Sequence, residues 1–300
     1  MISGDTALYK KPSNIKDDMG GMGQNLDDRM LEIMQILPHI SDDMDYKPDS
    51  VLDIGFGKGQ IPFWFNYRGY RVTSIGIALD SYGADISSAK KAGIDVVEAS
   101  VQEMPFRDNS YDIVVASHIL EHISDMGKAL MEIRRVLKPG GVFVMFIPPY
   151  IDKVCAGHVN TGWNIGQVIY VLLLNGFNVK RGHFLRLTHS ICSVVKKSDE
   201  QLPPLRGDRG DIQILNDKGF FPFRIKNDLD GVADGFDTRG VLAVNWDSFD
   251  GICIERRSKS GIIMDLFIKI LYKLLGSKLI AISVSIENVM HPRVINPKEI

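Results

Sequence analysis

Val51-Leu52-Asp53-Ile54 runs directly into Gly55-Phe56-Gly57-Lys58-Gly59-Gln60, a short apolar strand that ends in three glycines set two apart. No other stretch limits the fold as tightly. Glycines so placed let the chain turn sharply and let its backbone approach a ligand that a side chain would push away. The pattern then repeats. Residues 71–77, 94–97, 111–116 and 141–147 read as further strands, and helical spacing covers 59–68, 84–92 and 124–137. Repeated β-α-β order predicts an α/β fold, a doubly wound and mainly parallel sheet with helices on both faces. Ligands in such sheets sit beyond the carboxyl ends of the strands. A helix over 164–174 and strands over 177–180 and 191–196 predict a closing antiparallel strand pair.

The flanks read differently. Residues 1–48 form an N-terminal arm and a helix, in which Asp27 and Asp28 precede an apolar rhythm that Pro38 ends. That helix either packs on the edge of the domain or covers a ligand as a lid. Residues 49–198 form the main domain. Residues 199–258 read as an irregular insertion or small β subdomain, and 259–300 as an apolar amphipathic helical tail. Charges interrupt every apolar window near the ~20 residues that span a bilayer. Through 262–287 the tail can contact a membrane surface or self-associate. Residues 1–10 lack an apolar run behind a basic cluster, and the three cysteines show no paired spacing, so a reducing cytoplasm, with at most peripheral membrane contact, is expected. Net charge is −2 over 300 residues, which argues against a broad nucleic-acid footprint.

The glycines alone leave the ligand open. A nicotinamide-binding loop wants its third glycine where Gln60 stands, and a phosphate cradle wants Gly-Lys-Ser/Thr, which is missing. Asp53, just ahead of the first glycine, would repel a pyrophosphate but suits a cationic amino-acid group. With Asp53, Gly55, Gly57 and Gly59 in the order D-x-G-x-G-x-G, the chain resembles the class I S-adenosylmethionine (SAM)-dependent methyltransferases. Residues 103–112 look like that family's "LPF-x-D-x-SFD" segment, Leu120-Glu121-His122 like its "LEH" segment, and 134–141 like its helix and turn before the fifth strand. The resemblance covers roughly residues 50–196 and implies a Rossmann-like fold with SAM as cofactor. It also implies cofactor contacts from Asp53, Gly55, Phe56, Gly57 and Gly59, from Ile77 and Val101 around the adenine, and from Ser100, Gln102 and Ser117. The family's ribose-binding acid is replaced by Gly76, which leaves Asp80 as the substitute.

On the acceptor side, His118 and His158 are the candidate general bases. His183 and His189 are expected at the rim. His118, Glu121 and His122, at i, i+3 and i+4, would share one helical face and either hold a divalent metal or form a buried Glu–His hydrogen bond. Pro148-Pro149-Tyr150 reads as a proline-stiffened loop, since the polar residue of a DNA-methylating loop is replaced by Ile147. The expected activity is methyl transfer to an oxygen of a small-molecule or saccharide acceptor, with no nucleic acid as partner. Residues 157–164 and Gly176-Phe177 look similar to methyltransferases of bacterial surface-polysaccharide clusters. The alternatives are a quinone or lipid methyltransferase and a non-catalytic methyltransferase-like module that binds partners.

Overall fold

The computed structural model describes residues 27–41, 44–77, 79, 85–150, 155, 157–208, 210–225, 235–236, 238 and 241–246, with short strands at 8–9, 254–255 and 293–295. A helix, α1 (Asp28–Ile36), precedes a strand, β1 (Ser50–Ile54), that is buried along its whole length. Then α2 (Gln60–Tyr67), β2 (Arg71–Gly76), α3 (Ile86–Lys91), β3 (Asp95–Glu98), β4 (Tyr111–Ser117), α4 (Met126–Val136) and β5 (Leu137–Ile147) alternate as the periodicity predicts. After them come α5 (Ile165–Leu174), β6 (Phe177–Arg186), β7 (Ile191–Lys197), α6 (Gly210–Asp217), β8 (Val241–Val244) and β9 (Arg293–Ile295). The strands lie in one sheet in the order β9-β8-β6-β7-β5-β4-β1-β2-β3. Strands β1 to β5 pair in parallel, and β7 enters antiparallel between β5 and β6. The order reverses between β1 and β4, so the crevice of a doubly wound sheet opens at their carboxyl ends.

Period-two burial builds a core on each face. Val114 and Ala116 of β4, with Phe143 and Met145 of β5, pack under α4 and α5. Ile113 and Val115, with Val142 and Val144, pack on the side of α1 and α2. α1, α4 and α5 start where side chains take up free amides. Asp27 accepts from Met30, Asp125 from Lys128, and Asn164 forms a capping box with Gln167. With Leu31, Ile33, Met34 and Ile36 buried, α1 packs on the domain as an edge helix.

Some elements differ from expectation. β5 starts at Leu137 and absorbs Lys138-Pro139-Gly140-Gly141, read above as a turn, because Gly140 takes a φ of 74° and a Cβ at Gly141 would meet two backbone carbonyls. β6 runs on to Arg186 past a register shift between Asn178 and His183. Residues 199–258 are not a subdomain of their own in their described part. Ile212, Leu215, Phe220 and Phe221 join the core under α4 and α5, and β8 extends the main sheet beside β6. Short apolar bursts suffice for such edge additions, which carry no periodic signal. In the tail, Arg293–Ile295 is a strand parallel to β8, since Pro292 ends any helix and Val294-Ile295 favours extended chain. Residues 262–287 lie outside the described residues. Among the described residues no helix is long and apolar enough to cross a membrane.

The amino ends of the central strands are tied by one carboxylate. Asp112 accepts from Ser50 N at 2.9 Å, Ser50 Oγ at 2.6 Å and Lys138 Nζ at 2.9 Å. Burial raises its pKa, but the Ser50 and Lys138 hydrogen bonds outweigh that and hold it well below the usual carboxylate range. Asp112→Ala therefore costs about 2–4 kcal/mol at neutral pH by leaving Lys138 and Ser50 without their acceptor. Because the folded pKa is depressed, the benefit is complete above about pH 4 and fades as pH falls towards the folded value. Urea unfolding should show a wide gap between wild type and variant at pH 7 and a narrower one at pH 3.

Candidate active site at the carboxyl edge of the sheet

Where β1 ends, the chain turns through Gly55 (φ 91°), Gly57 (φ 53°) and Gly59 (φ 85°), all left-handed conformations that disfavour a Cβ. The Gly55 and Phe56 amides donate to Ile75 O of β2 at 2.7 and 3.3 Å, which pins the loop to its neighbour strand. A Cβ on Gly55 would collide with Ile119 Cδ1, whereas a Cβ on Gly57 would find only Gly55 O, at 3.8 Å. Gly57 therefore faces open space in front of the loop. Behind it, Asp53 is buried, and its Oδ2 accepts from Ser74 Oγ at 2.5 Å. Its Oδ1 has no hydrogen-bond partner among the described residues.

The remaining expected cofactor residues divide. Ile77 projects from the end of β2 with 64% of its surface exposed, while Val101 is buried in the core. Phe56 is also buried, so its side chain belongs to the core shared with α1 and α2. The Ser100 hydroxyl caps its own turn by accepting from Gln102 N at 3.2 Å. The Gln102 side chain reaches Asp125 O at 3.5 Å. Ser117 ends β4 half-buried. A Cβ at Gly76 would crowd Leu79, so the place of the ribose acid is covered by an apolar side chain. Asp80 lies outside the described residues.

After β4 the structure departs from the helical face read for His118, Glu121 and His122. His118 has a φ of 54°, and only Leu120–His122 form a single 3-10 turn, so the i, i+3, i+4 rule does not apply. His118 N donates to Phe146 O at 2.9 Å, which fixes the residue against β5. Its side chain, 12% exposed, places Nε2 3.0 Å from Ser190 Oγ and Nδ1 3.2 Å from Glu121 Oε1. The second contact is close enough for an ion pair but lacks hydrogen-bond alignment. His122 points the other way, with Nδ1 2.8 Å from Gly157 O and its ring edge-on to His158 at 4.8 Å between centroids. Of the rim histidines, His183 is buried on β6 against Asn245 O and Trp246, away from this edge, and His189 is half-exposed beside Glu32.

Two participants escaped the sequence reading. Ser190, in the turn between β6 and β7, reaches His118 across 72 positions. Glu32 of α1 accepts from the amides of Thr188 and His189 at 3.0 and 3.2 Å and so anchors that same turn. Neither residue belongs to a local motif, and only the closing of the sheet brings them near.

Burial pushes the Asp53 carboxyl up to about 7, against the lowering hydrogen bond from Ser74. A carboxylic acid with a raised folded pKa loses stability as pH rises between the unfolded value near 4 and the folded value. Asp53→Asn should therefore stabilise the ligand-free protein at pH 8, by an amount on the order of a few kcal/mol. The gain should vanish near pH 4. Thermal melts across that range check it, and a variant less stable than wild type at pH 8 contradicts it.

Comparison with known proteins bears on the same stretch of chain. Residues 52–145 match the family model of the methyltransferase domain. A stretch of 101 residues is 36% identical to sterol 4-C-methyltransferase strm-1 of Caenorhabditis elegans, covering 32% of this chain and 30% of that protein. A stretch of 115 residues is 36% identical to the ubiquinone/menaquinone biosynthesis C-methyltransferase UbiE of Brucella canis, covering 34% of this chain and 43% of that protein. The chain thus spans less than half the length of these relatives. Among solved structures it is similar to the PH0226 protein of Pyrococcus horikoshii, with a TM-score of 0.49 and 19% identity over 58% of this chain and 93% of that one. A SAM-dependent methyltransferase of Mesorhizobium loti gives a TM-score of 0.45 and 14% identity over 54% and 98%. With the family match lying across the β1 to β5 unit and the glycine loop at its head, the chain carries a class I SAM-dependent methyltransferase domain.

Proposed function

We propose that this chain transfers the methyl group of SAM to an acceptor with an ionisable hydroxyl, with His118 as the general base. The His118–Glu121 pair at the carboxyl end of β4 carries the acceptor half of this reading. SAM supplies an electrophilic methyl on a sulfonium, and its displacement depends on alignment and on a dry site. The chain's residues fit such a cofactor. The unpartnered Asp53 Oδ1 suits an ammonium, Gly57 leaves room for close approach, and exposed Ile77 offers an apolar face to an adenine ring.

On the acceptor side, Nε2 is the basic nitrogen. The Ser190 hydroxyl beside it holds the ring until the acceptor arrives. Glu121, near Nδ1, favours the imidazolium that forms when the proton moves. Tyr150 and Val159, on the segment after β5, are 60% and 61% exposed despite their apolar surfaces. They favour a carbon-rich acceptor, in line with relatives named for sterol and quinone substrates. A phenol ring could be methylated at carbon or oxygen once its proton is removed, and the relatives' names favour carbon as the second reading. Saccharide transfer and a non-catalytic partner-binding role remain as competing outcomes.

Calorimetry with SAM, followed by labelled-methyl transfer to prenylated phenols, sterols and glycans, separates them. Gly57→Val should abolish SAM binding while the protein stays folded, at a backbone cost of about 1–2 kcal/mol. His118→Ala should lower turnover roughly 10²–10⁴-fold and leave SAM affinity nearly intact. Full turnover in that variant removes His118 from the chemistry. No SAM binding by the wild type under several conditions favours the non-catalytic module, and transfer to glycans alone returns the acceptor to the saccharide class.

A further inference from the structure

We infer that Glu121, His122 and His158 form a site for a divalent transition-metal ion beside His118. One carboxylate oxygen and one ring nitrogen from each histidine lie within 4.8 Å of one another. An ion bound at about 2.0–2.2 Å holds tetrahedral ligand atoms roughly 3.3–3.5 Å apart. With the His122 ring held by Gly157 O, the ring of half-buried His158 is the ligand that must turn to close that difference. His118, the third member of the set read from spacing, is not part of this group. It stands on the other side of the carboxylate.

Three observations favour a bound cation over chance proximity. First, Glu121 is 1% exposed, yet neither of its oxygens takes a hydrogen bond among the described residues. His118 Nδ1 faces Oε1 alone, which leaves Oε2 without a described donor. A buried carboxylate in that state is unfavourable unless a cation balances it. Second, His122 Nδ1 lies against the Gly157 carbonyl. Donation there fixes the tautomer and directs the Nε2 lone pair outward, the usual support for a metal-binding histidine. Third, the two ligand-bearing segments are fastened together independently of the side chains concerned. Val159 N and Asn160 N donate to Glu121 O at 2.8 and 3.0 Å, and Asn160 Nδ2 bonds Leu120 O and Ile123 O. His158 is thereby held opposite Glu121 before any ion arrives.

Two imidazoles and one carboxylate suit zinc, cobalt, iron or manganese better than magnesium, which prefers oxygen ligands and keeps its waters. Three protein ligands leave positions open for an exchangeable oxygen ligand. Because the site borders His118, a hydroxyl of the acceptor is the oxygen that would reach it. That last step rests on the proposed methyl transfer, whereas ion binding itself does not.

The probe is Co²⁺, added to tag-free, full-length protein after chelator treatment and followed by its visible absorption and by calorimetry. One Co²⁺ per chain is expected, displaced by Zn²⁺ and not by Mg²⁺. His122→Ala and His158→Ala, both at sites with solvent access, should each weaken binding about tenfold or more. Glu121→Gln should do the same if circular dichroism shows it folded, and His189→Ala should match wild type. No stoichiometric Co²⁺ binding, or unchanged affinity in both His122→Ala and His158→Ala, overturns the site. Calorimetry with SAM on the same samples keeps the two ideas apart. SAM binding without metal binding defeats this inference alone, and metal binding without SAM binding defeats the cofactor reading alone.

Discussion

The loops that follow β1 and β4 touch, and they do so because Gly55 has no side chain. Ile119 Cδ1 occupies the volume that a Cβ on Gly55 would take. The parallel register that brings Ile54 beside Ala116 sets the two strand ends level, so the glycine loop and the His118–His122 segment meet at the reversal point of the sheet. Everything assigned to the site hangs on this contact. The open face of Gly57 and the ring of His118 are presented side by side because one residue of each loop is interlocked with the other.

Three carboxylates show how much environment decides. Asp112 sits among donors from Ser50 and Lys138 and acts as a structural tie between strands. Asp53 is equally buried but has one hydroxyl donor, and its second oxygen is left over. Glu121 has an ion-pair contact and no hydrogen bond. The saturated group lies at the amino ends of the strands, and the under-satisfied pair lies at the carboxyl ends. Folding free energy favours satisfied groups, so two under-satisfied buried carboxylates at the carboxyl edge are candidates for ligand contact.

Much of this was legible in the sequence. Buried parallel strands announce themselves as apolar runs, as β1, β4 and the second half of β5 do, whereas β3 at the sheet edge shows only the pair Val96-Val97. The glycine loop was legible for the same reason, since its residues are contiguous. Structure that depends on contacts distant in sequence or on one backbone angle is not legible in this way. The spacing at 118–122 predicts a helical face, but a single left-handed residue, His118, cancels it and sends its ring to Ser190. The contact of the His158 ring with His122 is likewise invisible in the sequence, because it arises where residues 159–160 fold onto Glu121. The Gly140-Gly141 pair looked like a turn, but Gly140 can keep a positive φ inside a strand, so β5 continues through it.

The grip of Glu32 on the turn between β6 and β7 has a consequence for where this domain begins. That turn holds Ser190, and Ser190 holds the ring of His118. A chain shortened to start after residue 40 would keep every strand of the family-matched region and its glycine loop. It would also free two amides and let the serine drift from the imidazole. Such a fragment would also strip Ile33, Met34 and Ile36 from the core they share with α2, and faster amide exchange at Thr188 and His189 would report the loosened turn. The anchoring of the His118 ring therefore reaches back into a helix that no cofactor motif includes.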